Sequence, residues 1–237
     1  MSSYKIADLV VEMQPQFEKM AALLPAYEIE PQPTSDISIK LENEFFLERQ
    51  KEHPHLRLSD IENIFTLSSF SNQLINFDGM VIHASAIEYD GEAYLFSGDS
   101  GVGKSTHTAL WQERFGTEKV TIINDDKPVI RLVNNEFFVY GSPWCGASYS
   151  NKNIKTPLKA IVFLEQDLQN WIKPIKNTSE LVYKILSHTK RTFSKNQTVK
   201  LMKLMDKLIE CCKFYSMGCD VSADAVETAV RQLISNI

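Results

Sequence analysis

Apolar positions along this 237-residue chain change their spacing near residue 79. Upstream, residues 6–11 read as a strand and 15–24 as a short helix. Residues 36–50 and 59–77 carry helical spacing. Between them, the segment 25–35 holds three prolines and reads as an exposed connector. Ser59-Asp60-Ile61-Glu62 has the form of a capping box, and Gly79 is a suitable helix stop. Downstream, the apolar runs 81–88 and 93–97 flank Tyr89-Asp90-Gly91-Glu92, and Asp-Gly between such runs predicts a hairpin. A glycine-rich turn leads into a helix over 104–115, closed by Gly116, with Leu110, Trp111 and Phe115 on its buried face. Strands follow at 120–123, 129–133, 136–140 and 158–164, with Asn134-Asn135 as a turn. In the last third, Asn177 and Glu180 cap a helix reaching about His188. Leu201, Leu204, Met205 and Leu208 share one face of a second helix, and Val226, Ala229, Val230 and Leu233 one face of a third. A strand at 213–217 separates those two. The pattern is mixed α/β, divided into a small N-terminal α+β subdomain (1–78) and a larger domain (79–237).

Composition narrows the function. Hydrophobic residues at 43% and charged ones at 23% are ordinary globular usage. Thirty acids against 25 lysines and arginines give −5, the wrong sign for a dedicated nucleic-acid binder. Cys145, Cys211, Cys212 and Cys219 form neither a disulfide framework nor a C-x-x-C zinc pair. The N-terminus has no secretory pattern, and no run is long enough for a membrane span, so a cytoplasmic protein without membrane or nucleic-acid partners is expected. Assembly into a homo-oligomer is left open.

The strongest chemical signal is Gly98-Asp99-Ser100-Gly101-Val102-Gly103-Lys104-Ser105, which fits G-x-x-x-x-G-K-[ST], the Walker A form of a P-loop. Glycines let consecutive amides turn toward phosphate oxygens, and the following helix adds its unpaired N–H groups and positive end. Lys104 would reach the β- and γ-phosphates of ATP, Ser105 would ligate Mg²⁺, and Thr106 would continue the nucleotide contacts. The expected nucleotide-binding set is therefore Gly98, Asp99, Ser100, Gly101, Val102, Gly103, Lys104, Ser105 and Thr106.

A magnesium shell needs a further acid, usually at the end of a neighbouring apolar strand. Val120-Thr121-Ile122-Ile123-Asn124-Asp125-Asp126 supplies two. One carboxylate can take the metal. The other can accept the proton of an attacking hydroxyl, since repulsion between neighbours can raise one pKa. His83 lies on the strand that opens the hairpin, while His53, His55, His107 and His188 read as surface residues, with His107 within reach of a substrate. Asn151-Lys152-Asn153-Ile154 begins like a guanine-reading N-K-x-D element but has Ile where the acid belongs, which makes a GTPase the weakest alternative.

Together, His83-Ala84-Ser85, Gly98–Ser105 and Asp125-Asp126 resemble the HPr kinase/phosphorylase family, whose C-terminal domain is related to the nucleotide-binding core of phosphoenolpyruvate carboxykinases. The likeness covers roughly 80–165 and does not extend to the family's usual N-terminal domain. The chain is also similar to shorter HPr-kinase-like bacterial proteins through Gly103-Lys104-Ser105-Thr106-His107, Leu110-Trp111, Asn124–Pro128, Gly141-Ser142-Pro143-Trp144-Cys145-Gly146 and 157–161. The resemblance implies acid/base roles for Asp126 and His83, and metal contacts for Asp125 and Ser105. One departure stands out. The family's E-x-R-G charges are replaced by Phe138-Val139-Tyr140-Gly141, and Lys127, Lys152, Lys155 or Arg131 would have to compensate. Gly141–Gly146 reads equally as a substrate loop or as a structural turn over a buried Trp144, and Cys145 as a bystander thiol.

The function these residues predict is ATP- and Mg²⁺-dependent phosphoryl transfer, with Asp126, His83 and Lys104 catalytic, to a hydroxyl of a protein serine or a small molecule. The alternatives are a phosphorylase or carboxykinase-like enzyme and a nucleotide sensor without catalysis.

Overall fold

The structure is a computed structural model and describes residues 2–146, 148–189 and 194–234. It opens on a hairpin of β1 (Ser2–Ile6) and β2 (Leu9–Met13), not on one strand over 6–11. Ala7 and Asp8 both take positive φ, 54° and 61°, so the chain reverses where it carries neither glycine nor asparagine. Asp8 makes the turn useful elsewhere: its carboxylate accepts from Tyr140 Oη at 2.9 Å and Lys155 Nζ at 3.0 Å.

The expected helix over 15–24 is confined to α1 (Glu18–Leu23), continued by a 3₁₀ turn at Leu24–Tyr27. β3 (Glu28–Ile29) and β4 (Ile37–Ile39) complete a four-stranded sheet in the order β3-β1-β2-β4. The helix expected over 36–50 is therefore α2 (Asn43–Glu52) alone. Ile-Ser-Ile at 37–39 alternates buried and half-buried positions and pairs with β2 instead. α3 (Leu58–Leu74) closes this region, followed by a 3₁₀ turn at Ile75–Phe77.

The capping box expected at Ser59–Glu62 is not formed, since the residue capping α3 is Arg57 and no side chain bonds there. Glu62 is buried and caps another helix: its carboxylate accepts from the amides of Gln16 (2.6 Å) and Phe17 (3.1 Å), at the start of α1. Burial raises its pKa, with the two amides opposing. Glu62→Ala should destabilise the fold by roughly 1–3 kcal/mol, because it strands amides the protein has removed from water. Urea unfolding would show this as a lowered midpoint, with Glu62→Gln losing less.

Among the described residues, the second sheet has nine strands. β5 (Gly79–Val81) precedes a hairpin of β6 (Ala84–Tyr89) and β7 (Glu92–Ser97), which turns as expected at Asp90-Gly91, both at positive φ. Next come α4 (Lys104–Phe115), β8 (Val120–Asp126), β9 (Val129–Val133) and β10 (Glu136–Tyr140), the last two joined through Asn134-Asn135. β11 (Lys155–Gln166) is longer than the expected strand. It pairs antiparallel with β10 at its start and parallel with β7 and β13 further on. β12 (Trp171–Pro174), a short edge strand with no sequence signal, pairs with β13 (Lys213–Cys219). α5 (Thr178–Ser187), α6 (Lys195–Cys211) and α7 (Ala223–Leu233) supply the layers.

Alternation along β7 shows how the layers form. Ala93 and Leu95 face a core with Leu181, Ile185, Leu204 and Leu208 of α5 and α6. Tyr94 and Phe96 face the opposite core with Trp111 of α4 and Val226 and Ala229 of α7. The sheet is thus covered on both faces, in a mixed α/β arrangement. A third cluster joins Tyr4, Ile6, Val11, Phe70 and Leu74 to Val81, Val129, Tyr140 and Trp144, so residues before and after 78 share a core. No helix among the described residues is long and apolar enough to cross a membrane.

Candidate functional site

β7 and β11 run parallel, and the glycine-rich stretch Gly98–Gly103 leaves the C-terminal end of β7 to enter α4. That edge is where α/β sheets present ligands, because helices begin there with unpaired amides. Gly98 is confined by packing: a Cβ on it would lie 2.8 Å from the Leu164 carbonyl oxygen, at a φ of 150°. Gly103, at φ 108°, precedes the first residue of α4.

Lys104 is buried, and its ammonium donates to the carbonyls of Gly98 and Asp99, each at 2.9 Å. Burial pushes its pKa down and Lys127 adds to this, while Asp126, Asp125 and Asp99 oppose it. The charge thus stands inside the loop, among the acids the sequence singled out.

Ser105 Oγ donates to Asp125 Oδ1 at 2.7 Å, and Ser148 Oγ to Asp125 Oδ2 at 2.8 Å. A hydroxyl and a carboxylate side by side are hard oxygen donors, which suits Mg²⁺. No cluster of three or more His, Cys, Asp or Glu that could hold a metal occurs among the described residues. The pair therefore fits an ion completed by phosphate and water oxygens, as Mg²⁺ commonly is, better than a self-sufficient protein cage.

Asp126 has different partners. Its Oδ1 accepts from Lys127 Nζ at 2.7 Å and lies 3.1 Å from His83 Nε2. Burial raises its pKa, but His83 and Lys127 more than offset this and hold it at about 2. The expectation that one carboxylate would be lifted is corrected for Asp126, because His83 and Lys127 together outweigh the effect of its burial. The residue also takes φ 126°, rare for any side chain other than glycine. It pairs with Ala84 on β6 and bridges to Cys145.

His83 is not within a strand. It sits at the bend between β5 and β6, where its amide donates to the His188 carbonyl at 2.7 Å and its own carbonyl accepts from Ser97 Oγ at 2.8 Å. His188, expected at the surface, ends α5 with its ring centroid 6.4 Å from that of His83 and 5.9 Å from Phe163. Burial lowers its pKa; Asp99 opposes this, and His83, Lys104 and Lys184 reinforce it. Sequence reasoning missed it because a helix-terminal histidine carries no local motif. A cavity of about 340 Å³ opens beside this group, lined by Leu67, Val81, His83, Lys127 and His188 among others.

His107 is also corrected. It is 2% exposed, accepts from Trp111 Nε1 at 3.1 Å and packs 4.5 Å from the Phe96 ring. Burial drops its pKa to about 4, so it is a neutral core residue.

The stretch 141–146 takes the structural role. Trp144 is fully buried, donates to Thr66 Oγ1 at 3.1 Å and lies tilted against Phe70, with ring centroids 4.6 Å apart. Ser142 Oγ donates to the Lys127 carbonyl (2.7 Å), and Asn124 spans the same turn by donating to the Ser142 carbonyl (2.9 Å) and accepting from the Lys127 amide (2.7 Å). The loop therefore braces the Asp125-Asp126 strand end. A Cβ on Gly141 would lie 1.8 Å from the Lys152 carbonyl oxygen. Burial raises the pKa of the Cys145 thiol, which disfavours its thiolate form.

Of the basic residues weighed as replacements for the missing charges, Lys127 bonds to the site. Arg131 donates to the Phe77 and Ala7 carbonyls, and Lys155 to Asp8. Asn151 and Asn153 hold the N-terminal region, through Tyr27 Oη and through the Lys5 and Ala26 carbonyls.

No protein-family model matches the chain, and no curated protein matches it. Among solved structures it is similar to the Hpr(Ser) kinase/phosphatase from Coxiella burnetii, at 13% identity and a TM-score of 0.37, over 64% of this chain and 93% of that one.

Proposed function

We propose that this chain is an ATP- and Mg²⁺-dependent phosphotransferase that moves the γ-phosphate to a hydroxyl, in the manner of HPr kinases. The observation that carries the reading is the junction at the start of α4. Ser105 meets Asp125 at 2.7 Å, the Lys104 ammonium sits within the glycine-rich loop, and Asp126 is held by His83 and Lys127. Phosphoryl transfer asks a protein mainly for positioning and charge stabilisation, and these groups supply both.

The loop amides from Gly98 to Ser105, with Thr106, bind the phosphates, and Lys104 exchanges its two carbonyl partners for phosphate oxygens. Ser105 and Asp125 would hold Mg²⁺, which when bound neutralises the charge on the phosphates. The acceptor enters the cavity beside His83. Its volume is at the small end of ligand sites, which suits a compact molecule or a single serine side chain. Asp126, ionised at neutral pH, accepts the hydroxyl's hydrogen bond and aims its oxygen. As the acceptor oxygen bonds to the γ-phosphorus and the bond to the departing ADP breaks, its proton would pass to the Asp126 carboxylate, with His83 Nε2 3.1 Å away to position it.

Asp125→Ala should leave the fold intact and remove most of the Mg²⁺ dependence of nucleotide binding. Calorimetric titration with ATP, with and without Mg²⁺, would show it as two nearly equal affinities. The reading itself is tested by incubating the protein with γ-labelled ATP and hydroxyl acceptors, proteins bearing serine included. Label moving to a hydroxyl supports it, whereas tight binding without any consumption of ATP would favour a sensor.

A further inference from the structure

The phosphates have a proposed place, but the nucleoside attached to them does not. The sheet indicates where to look. β7, β11 and β13 run parallel as neighbours, so the loops leaving β11 and β13 gather at the same edge as the glycine-rich loop. Between them lies a cavity of about 490 Å³, within the usual size of small-molecule sites. Gly101, Gly103 and Thr106 form one side. Asp167 and Leu168 after β11 and Asp220 and Val221 after β13 form the other. It shares no lining residue with the cavity beside His83.

Two features mark its chemistry. Leu168 is 95% exposed and Val221 75% exposed, so both loops present an apolar side chain to water beside the cavity. A flat ring placed against them would remove that apolar surface from solvent. The charged groups on this wall are both carboxylates. Asp167 is held below the usual carboxylate range by the Trp171 indole N–H and the Gln169 amide, and Asp220 by Ser222 and Asn170. Ionised carboxylates only accept. The amide donor of the lining, Gln166 Nε2, is already directed at the Gly101 carbonyl, at 3.2 Å, which also ties the β11 loop to the glycine-rich loop.

We propose that this cavity takes the base of a purine nucleoside triphosphate, packed against Leu168 and Val221, with its N–H-bearing edge toward the carboxylates of Asp167 and Asp220. The proposal rests on the phosphate-binding reading of residues 98–106. Thr106, the last residue of that set, lines the cavity, so the phosphate chain and the nucleoside would be continuous. Adenine offers an amino group, and guanine an amino group and a ring N–H. Uracil offers one N–H between two carbonyls, which carboxylates would repel.

The test is a set of titrations with Mg²⁺ present, using ATP, GTP, UTP and inorganic tripolyphosphate against the wild type and Leu168→Ala/Val221→Ala. Both substituted side chains are largely exposed, so the fold is undisturbed. The wild type should bind ATP or GTP about tenfold or more tightly than UTP and tripolyphosphate. The double variant should lose about tenfold for the preferred purine and nothing for tripolyphosphate. ATP ahead of GTP, or the reverse, says which purine fits. If UTP equals both purines, or the double variant binds ATP as the wild type does while tripolyphosphate still binds, the base lies elsewhere and the proposal is overturned. If neither ATP nor tripolyphosphate binds the wild type, the phosphate-loop reading fails first and takes this one with it.

Discussion

Lys104→Ala is expected to weaken ATP binding by at least about a hundredfold while leaving the protein folded. The affinity loss follows from removing charge-assisted hydrogen bonds to phosphate, which contribute roughly 1.5–3 kcal/mol each. The loop at 98–105 holds no other lysine, and Lys127 is bonded to Asp126. Stability should change little, because the side chain is a buried cation whose partners are two backbone carbonyls of its own loop. Desolvating an ammonium costs much of what those bonds return. Calorimetry and a thermal melt on the same sample separate the two effects. A variant that unfolds would show instead that Lys104 is a structural residue.

Asp126→Asn is expected to keep ATP bound and to slow its consumption by about 10²–10⁴-fold, the usual contribution of a positioned proton acceptor. Binding should hold or tighten. The substitution removes a negative charge from the neighbourhood of the phosphates and frees Lys127 from its carboxylate. The pKa adds a constraint. With Asp126 at about 2 when folded against an ordinary 3.8, its ionised form is favoured by folding. That stability is fully present above about pH 4 and is lost as pH falls through about 2. Asp126 therefore contributes no acid limb to activity between pH 5 and 8, and a limb seen there belongs to another group. Wild-type turnover in Asp126→Asn would remove this carboxylate from the mechanism.

What was legible in the sequence had local causes. Asp90-Gly91 and Asn134-Asn135 turn their hairpins, and the helix 104–115 starts and stops at glycines, because these residues set φ by themselves. The meeting of the glycine-rich stretch with the acids ending β8 was also legible, since the spacing of the motif places Ser105 on the first turn of α4, where it bonds to Asp125. Contacts far apart in the chain were not legible. Ala7-Asp8 reverses the chain in a pair that is not a standard turn dipeptide, and Asp8 is bonded to residues more than a hundred positions away. Glu62 looked like a cap for its own helix and serves α1, and Trp144 is claimed by a core built from the N-terminal region. His188 reaches the site only because α5 ends beside β5, through the bridge between Ile82 and Thr189. Asp126 carries the pKa of its neighbours, not of its sequence pair.

In the proposed function, the loop at 98–105 and the carboxylate of Asp125 form one site for a magnesium-bound triphosphate. The most direct measurement is a calorimetric titration of the wild-type protein with ATP, in the presence of Mg²⁺ and after its removal with chelator. One ATP per chain is expected, bound at least about tenfold more tightly with Mg²⁺. No binding, or equal affinity in the two conditions, would contradict it.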